Sequence, residues 1–277
     1  MWPHAPRTPW RANFPDVIAQ TAYRGMINHV AYRDAKDGIS NDAALTLVYE
    51  SIADDSMAAL TKVIGDRKPR VVPVHAEEKN GRNKIPFAYA EVLAGVLHLD
   101  TDPAIVQAGI VNHTNAQNIF QRFATPATFE GYVEPDADYL IVDDTCTAGG
   151  TLANLKGFIE VNGGNVMAIS VLALNQPSRR CEMSLAYTTH KRLMMRHPTL
   201  DRVWKEDFGY GLECLTEGEA GHLLVTPSVD AIRNLLAEAR RNIDLSRDEA
   251  AHGGETSAAE AIDQKAPVPS KLRPVGG

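Results

Sequence analysis

The chain is poor in cysteine, in aromatic residues and in long apolar runs, and each shortage removes a class of protein. Its cysteines are three, Cys146, Cys181 and Cys214, in 277 residues. An odd count with no C-x-x-C pair argues against a disulfide scaffold and against a cysteine-rich zinc module. It fits a reducing, cytoplasmic setting. The longest mainly apolar run is Val166 to Leu174, broken by Ser170. A membrane-spanning helix needs about 20 such residues, so this run reads as a buried strand and no membrane partner is expected. Met1 to Arg7 holds none of the apolar stretch that a secretory leader needs. An excess of basic charge is missing too: the formal net charge is −7. That excludes a globally basic nucleic-acid binder and leaves only local patches. No internal repeat is found.

What is present is a globular composition. Apolar residues are 44% and charged residues 23%, the mix of a chain that buries a core. Four segments follow from the pattern: an N-terminal arm (1–39), an α/β core (40–176), a mainly helical C-terminal extension (177–245) and a disordered tail (246–277). Residues 1–15 are proline- and tryptophan-rich without periodicity. From Asp42 to Ile64 the apolar residues Leu45, Val48, Ile52, Leu60 and Val63 fall at helical spacing, with Ser40 and Asn41 as start signals. Arg70 to Val74 is a short β-branched run, and Pro86 opens a helix to Leu97. Residues 110–132 are polar and poorly periodic. Strand, helix and strand then follow inside Tyr139–Leu174, with Gly163-Gly164 as the helix stop, the signature of a βαβ unit in a parallel sheet. In the extension, Thr216 to Glu219 fits a capping box and Thr226-Pro227 an N-cap with proline behind it. Seven basic residues stand against two acidic ones between Arg179 and Lys205. A solvated helix face accounts for that excess, and a nucleic-acid contact is open but unsupported. Leu193-Met194-Met195 reads as core packing.

The segment that carries chemistry is Leu140-Ile141-Val142-Asp143-Asp144-Thr145-Cys146-Thr147-Ala148-Gly149-Gly150-Thr151. A buried strand delivers two adjacent carboxylates to its C-terminal end, a tight loop of small residues follows, and a helix begins at once. Loop N–H groups and a helix N-terminus make an anion site. Thr147 and Thr151 add hydroxyls, and Gly149-Gly150 allows close approach of the backbone. A phosphate in the loop with ribose hydroxyls at the carboxylates would satisfy both halves, at the carboxyl ends of the strands where open α/β sheets bind ligands. Cys146 reads as a small buried residue rather than a nucleophile.

This segment resembles the phosphoribosyl pyrophosphate (PRPP) signature of type I phosphoribosyltransferases over Tyr139 to Thr151. Val71 to Val74, the polar loop after it and Ala88 to Ala94 are similar to the pyrophosphate-loop region, closest in pattern to the competence-associated ComF-like and orotate-type branches. The resemblance covers about residues 40–175. It implies a type I phosphoribosyltransferase-like fold: a parallel central sheet flanked by helices, here with the C-terminal extension as a hood. It further implies that Asp143 and Asp144 bind the ribose hydroxyls, directly or through Mg²⁺, as catalytic and metal-binding residues. Thr145, Cys146, Thr147, Ala148, Gly149, Gly150 and Thr151 would bind PRPP with them, Thr147 to Thr151 holding the 5′-phosphate. His75, Ala76, Glu77, Glu78 and Lys79 would form the pyrophosphate loop, with Lys79, Arg82 or Lys84 as cations. Arg122 is the candidate catalytic cation of the mobile segment before the motif, in the stretch that also holds His113, Thr114 and Gln117. The implied reaction transfers 5-phosphoribosyl from PRPP to a base or amine and releases pyrophosphate, and the implied assembly is a homodimer.

Three departures bear on that expectation. Glu77 and Glu78 put negative charge where pyrophosphate would sit. Thr147 stands where 6-oxopurine enzymes of the family carry an acid, which counts against hypoxanthine or guanine as acceptor. No long mobile loop with a basic tip is found. A non-catalytic PRPP- or nucleotide-sensing protein on the same fold therefore stands as the alternative, and hydrolysis of a phosphoribosyl bond as a third reading.

Overall fold

A computed structural model of the chain describes residues 5–75, 83–108, 118–175 and 180–260. The main sheet is built from β1 (Val17–Ala22), β2 (Arg70–Pro73), β5 (Asp138–Cys146), β6 (Asn165–Leu174) and β7 (Arg180–Cys181), in the order β2-β5-β6-β1-β7. The first four are parallel and β7 runs antiparallel at the edge of β1. The expected βαβ unit is present, β5 and β6 being parallel neighbours joined by α7 (Gly150–Val161). A separate antiparallel pair, β3 (Val106–Ala108) and β4 (Thr128–Glu130), stands beside the sheet.

The sheet is buried on both faces, which is why its strands read as continuous apolar runs. One face carries α1 (Tyr23–Ile27), α2 (Tyr32–Lys36), α3 (Asn41–Ser51), α4 (Asp54–Ile64) and α5 (Ile85–Leu97), with Ala35, Leu47, Leu60 and Leu93 fully buried against Leu140 and Val142. The other face carries α7 through Leu152, Leu155 and Ile159, packed on Tyr139 and Ile141. A third core joins α6 (Ile119–Ala124) to the C-terminal helices α8 (Tyr187–Arg196), α9 (Leu200–Phe208), α10 (Glu217–Val225) and α11 (Val229–Glu260). Phe123 meets Trp204 there edge to face at 4.9 Å. The α/β sheet with a mainly helical C-terminal part is thus as expected.

Several local readings change. The helix over 42–64 is two: Ser40 caps α3, accepting from the Ala43 N–H, and the extended Ile52 and Ala53 separate it from α4. β1 lies inside the span read as an arm, and it is a central strand of the sheet. Its Gln20 is buried and donates to the Tyr89 hydroxyl at 3.0 Å. Residues 119–124, inside the span read as the α/β core and as poorly periodic, form α6 and pack on the extension. Thr216 and Glu219 do form the capping box of α10. Thr226, however, ends α10, donating to the His222 carbonyl, and Ser228 caps the next helix. α11 runs on through Glu260, past the point where the tail was expected to begin. Of the apolar trio in α8 only Leu193 is fully buried, while Met195 is exposed.

The first residues dock along α7. Lys156, buried in α7, donates to Glu160 at 2.6 Å and to the Thr8 hydroxyl at 2.8 Å, and lies 4.9 Å from the Trp10 ring centre. Trp10 Nε1 donates to the Leu215 carbonyl at 2.7 Å. Gly157 makes this approach possible, since a Cβ there would come within 2.1 Å of the Pro6 carbonyl oxygen. Backbone cannot yield as a side chain would, so Gly157→Ala is expected to cost about 1–3 kcal/mol and to expose residues 5–15 to protease. Urea unfolding with limited proteolysis checks it; an arm equally resistant in the variant would contradict the docking.

Candidate active site

β5 delivers its two carboxylates to opposite faces, because successive side chains of a strand alternate. Asp144 follows Leu140 and Val142 toward α2 and α5; Asp143 follows Tyr139 and Ile141 toward the other core. Asp144 is buried and fully engaged. Lys36, the last residue of α2, forms an ion pair with its Oδ2. Asn83 Nδ2 donates to the same oxygen at 2.9 Å, and Thr145 Oγ1 to Oδ1 at 3.0 Å. Burial opposes the Lys36 ammonium, but the attraction and hydrogen bond of Asp144, with Asp143 adding, hold its pKa above the ordinary lysine value. Asp143 Oδ1 accepts from the Asp144 N–H at 2.7 Å. Burial first, and then the Asp144 charge, push the Asp143 carboxyl well above the usual carboxylate range.

The loop then turns at Thr147 and Ala148 into α7. Gly149 sits at its N-cap with φ 80°, a left-handed conformation that favours glycine, and no side chain caps the first turn. The uncapped N–H groups and the helix dipole favour an anion there. Arg122 Nη1, from α6, donates to Thr147 Oγ1 at 2.6 Å, so the cation proposed from sequence reaches this loop.

Behind the loop stands a clamp that sequence reading missed. Thr216 Oγ1 donates to the Ala148 carbonyl at 2.5 Å. Arg7 and Glu219 form a bidentate pair, both bonds at 2.8 Å, with side chains 3% and 2% exposed. Arg7 also donates to the Gly150 carbonyl at 3.2 Å and to Asn154 of α7. Met183 closes over Gly149, where an added Cβ would lie 2.6 Å from its Sδ. The arm and the extension therefore hold the same loop from the back.

Thr145 and Cys146 end β5, and Gly150 and Thr151 start α7. Cys146 is buried near Met183, its Sγ 3.9 Å from that sulfur. Its hydrogen bond with Cys181, and then burial, push the thiol well up, the opposite of what a nucleophile needs. His75 is buried, its Nδ1 donating to the Pro73 carbonyl at 3.0 Å and its ring beside Phe87. Ala76, Glu77, Glu78, Lys79 and Arg82, like His113, Thr114 and Gln117, lie outside the described residues. Lys84 is the N-cap of α5, its N–H donating to the Ala35 carbonyl at 3.1 Å.

The resemblance implies Mg²⁺ at Asp143 and Asp144, and the donor set does not fit a resident ion. Mg²⁺ demands near-octahedral oxygen ligands and keeps several waters. Here both oxygens of Asp144 are bonded to neighbours, one of them a cation, and Asp143 Oδ1 already accepts from the Asp144 N–H. Among the described residues no group of three or more histidine, cysteine or acidic side chains is placed to hold a metal, and no helix is long and apolar enough to cross a membrane.

Comparison with known proteins gives partial matches. No family model matches the chain. It is 46% identical over 237 residues to Protein TraN of Escherichia coli, across 85% of this chain and 52% of that protein. It is 40% identical over 153 residues to an uncharacterized protein of Haemophilus influenzae, across 55% of this chain and 34% of that protein. The chain thus spans about half or less of the length of these curated relatives. Among solved structures, adenine phosphoribosyltransferase from Rhodothermus marinus aligns with a TM-score of 0.32 and 21% identity, over 47% of this chain and 72% of its own. Orotate phosphoribosyltransferase from Mycobacterium tuberculosis aligns with a TM-score of 0.27 and 15% identity, over 58% of this chain and 78% of its own.

Proposed function

We propose that the chain binds a 5-phosphoribosyl compound of the PRPP class at the β5–α7 junction, on a core of the type I phosphoribosyltransferase kind, and transfers that group to a base or amine with release of pyrophosphate. The observation that carries this reading is that the strand bearing Asp143 and Asp144 runs directly into a loop that Arg122 reaches and that opens a helix without a side-chain cap. In this reading the carboxylates meet the ribose hydroxyls, and Thr147 to Thr151 receive the 5′-phosphate on backbone N–H groups and hydroxyls. Arg122 adds the positive charge that the uncapped turn only partly supplies. The chain's contribution to the transfer is positioning and charge stabilisation of the departing pyrophosphate. A pyrophosphate loop over 75–79, a homodimer and a cytoplasmic site belong to the same proposal.

One observation favours the sensing alternative. Thr216, Arg7 and Glu219 tie the loop to the extension, so a ligand that orders the loop would be felt by α10 and its neighbours. Calorimetric titration of PRPP, followed by a pyrophosphate-release assay over bases and amines, separates the two: binding without release supports sensing. Arg122→Met is expected to weaken PRPP binding by about tenfold, as loss of one charge-assisted hydrogen bond does; an unchanged affinity would remove Arg122 from the site.

A further inference from the structure

We propose that the Lys36 ammonium is the built-in counter-cation of this site, so that a ribose phosphate binds here without a divalent metal ion. The proposal rests on the reading above and deepens it. Lys36 reaches the β5 carboxylate from α2, a five-residue helix ahead of the core proposed from sequence. Its backbone is fixed: Ala35 beside it is fully buried, and the Ala35 carbonyl accepts from the Lys84 N–H. The ammonium lies at a boundary, the Lys36 side chain being 41% exposed and that of Asp144 only 9%. One of its three N–H donors is spent on Asp144. Among the described residues the other two meet no partner, which leaves them for ribose or phosphate oxygens arriving from the exposed side.

The neighbours make the replacement consistent. Asn83 and Thr145 complete the shell of Asp144 with neutral donors, so that carboxylate carries one charge and meets one cation. A second cation would have to expel Lys36 or share its oxygen. Lysine supplies a compact point charge with rotatable donors, the part of a metal's role that orienting a ligand oxygen requires. Lys36 is thus a positioning residue that touches the ligand from the Asp144 side, while Arg122 approaches the loop from the other.

The test is calorimetry with ribose 5-phosphate, which lacks the pyrophosphate that would itself bring in Mg²⁺. Wild type, Lys36→Arg and Lys36→Gln are each titrated in EDTA and in excess Mg²⁺, and each ligand-free protein is titrated with Mg²⁺ alone. Wild type is expected to bind equally with and without metal, and Lys36→Arg to follow it. Lys36→Gln should lose about tenfold or more in EDTA, the size of one charge-assisted contact, and recover when Mg²⁺ is added. Metal-dependent binding by wild type, or a Lys36→Gln variant equal to wild type, would overturn the proposal. If folded wild type binds no ribose phosphate at all, the ligand reading fails, and the Mg²⁺ titrations still decide this one. Mg²⁺ binding by Lys36→Gln but not by wild type supports the counter-cation; binding by wild type, or by neither, overturns it.

Discussion

Glu219→Gln is expected to destabilise the chain by about 3–5 kcal/mol, the usual cost of breaking a buried ion pair from one side. The glutamine keeps the volume and can still serve the capping box, so helix α10 itself loses little. What it removes is the charge facing Arg7, whose guanidinium is almost wholly buried and has no other acidic partner among the described residues. Carbonyls of Cys214 and Gly150 and the Asn154 side chain remain as acceptors, which places the effect toward the lower half of that range. Thermal unfolding should show a drop of roughly 10 °C. Removing both charges in Arg7→Met with Glu219→Leu should restore part of the loss, because a buried pair replaced by apolar groups is often near neutral. A drop below about 1 kcal/mol in Glu219→Gln would mean that the pair is screened and that the extension does not brace the loop.

The readable part of this molecule is the part whose chemistry is contiguous in sequence. Asp143 to Thr151 carries strand, loop and helix start in one unbroken run, so the residues alone place the βαβ unit and the turn proposed to bind an anion. Thr216 and Glu219 are legible as a capping box for the same reason. Lys36 is not: it sits in a helix of one turn and meets Asp144 across more than a hundred residues. Arg7 meets Glu219 across 212 residues. No local pattern announces a long-range ion pair. β1 escapes a sequence reading because a strand buried on both faces ought to be continuously apolar, and Gln20 interrupts it. The reason lies in the packing: Gln20 joins a buried network in which the Tyr89 hydroxyl bonds Ser170 at 2.7 Å, and Ser170 donates to the Ile18 carbonyl. Polar residues satisfied by one another look, in sequence, like the end of a core.

Asp143→Asn is expected to raise stability and lower affinity together. Burial and the adjacent Asp144 charge raise the Asp143 pKa in the folded state, so between the ordinary carboxylate value and that higher one the native chain holds a proton that the unfolded chain has already lost. Stability from this group is fully present below the ordinary carboxylate value of about 4 and is lost as pH rises through the higher folded value. An amide has no such dependence. The variant should therefore melt higher than wild type at neutral pH, with the advantage shrinking as pH falls toward about 4. Ribose hydroxyls, in contrast, lose an acceptor whose charged form the ligand would draw out on binding, a contact worth about 1.5–3 kcal/mol, so affinity for ribose 5-phosphate should fall about 10- to 100-fold. Melting curves across pH, paired with calorimetry, read both. If affinity and stability fall together, Asp143 is holding the fold rather than the ligand. If stability rises while affinity stays, the ribose lies elsewhere. Only the opposed pair of changes marks a carboxylate kept at a cost to the fold because the ligand needs its charge.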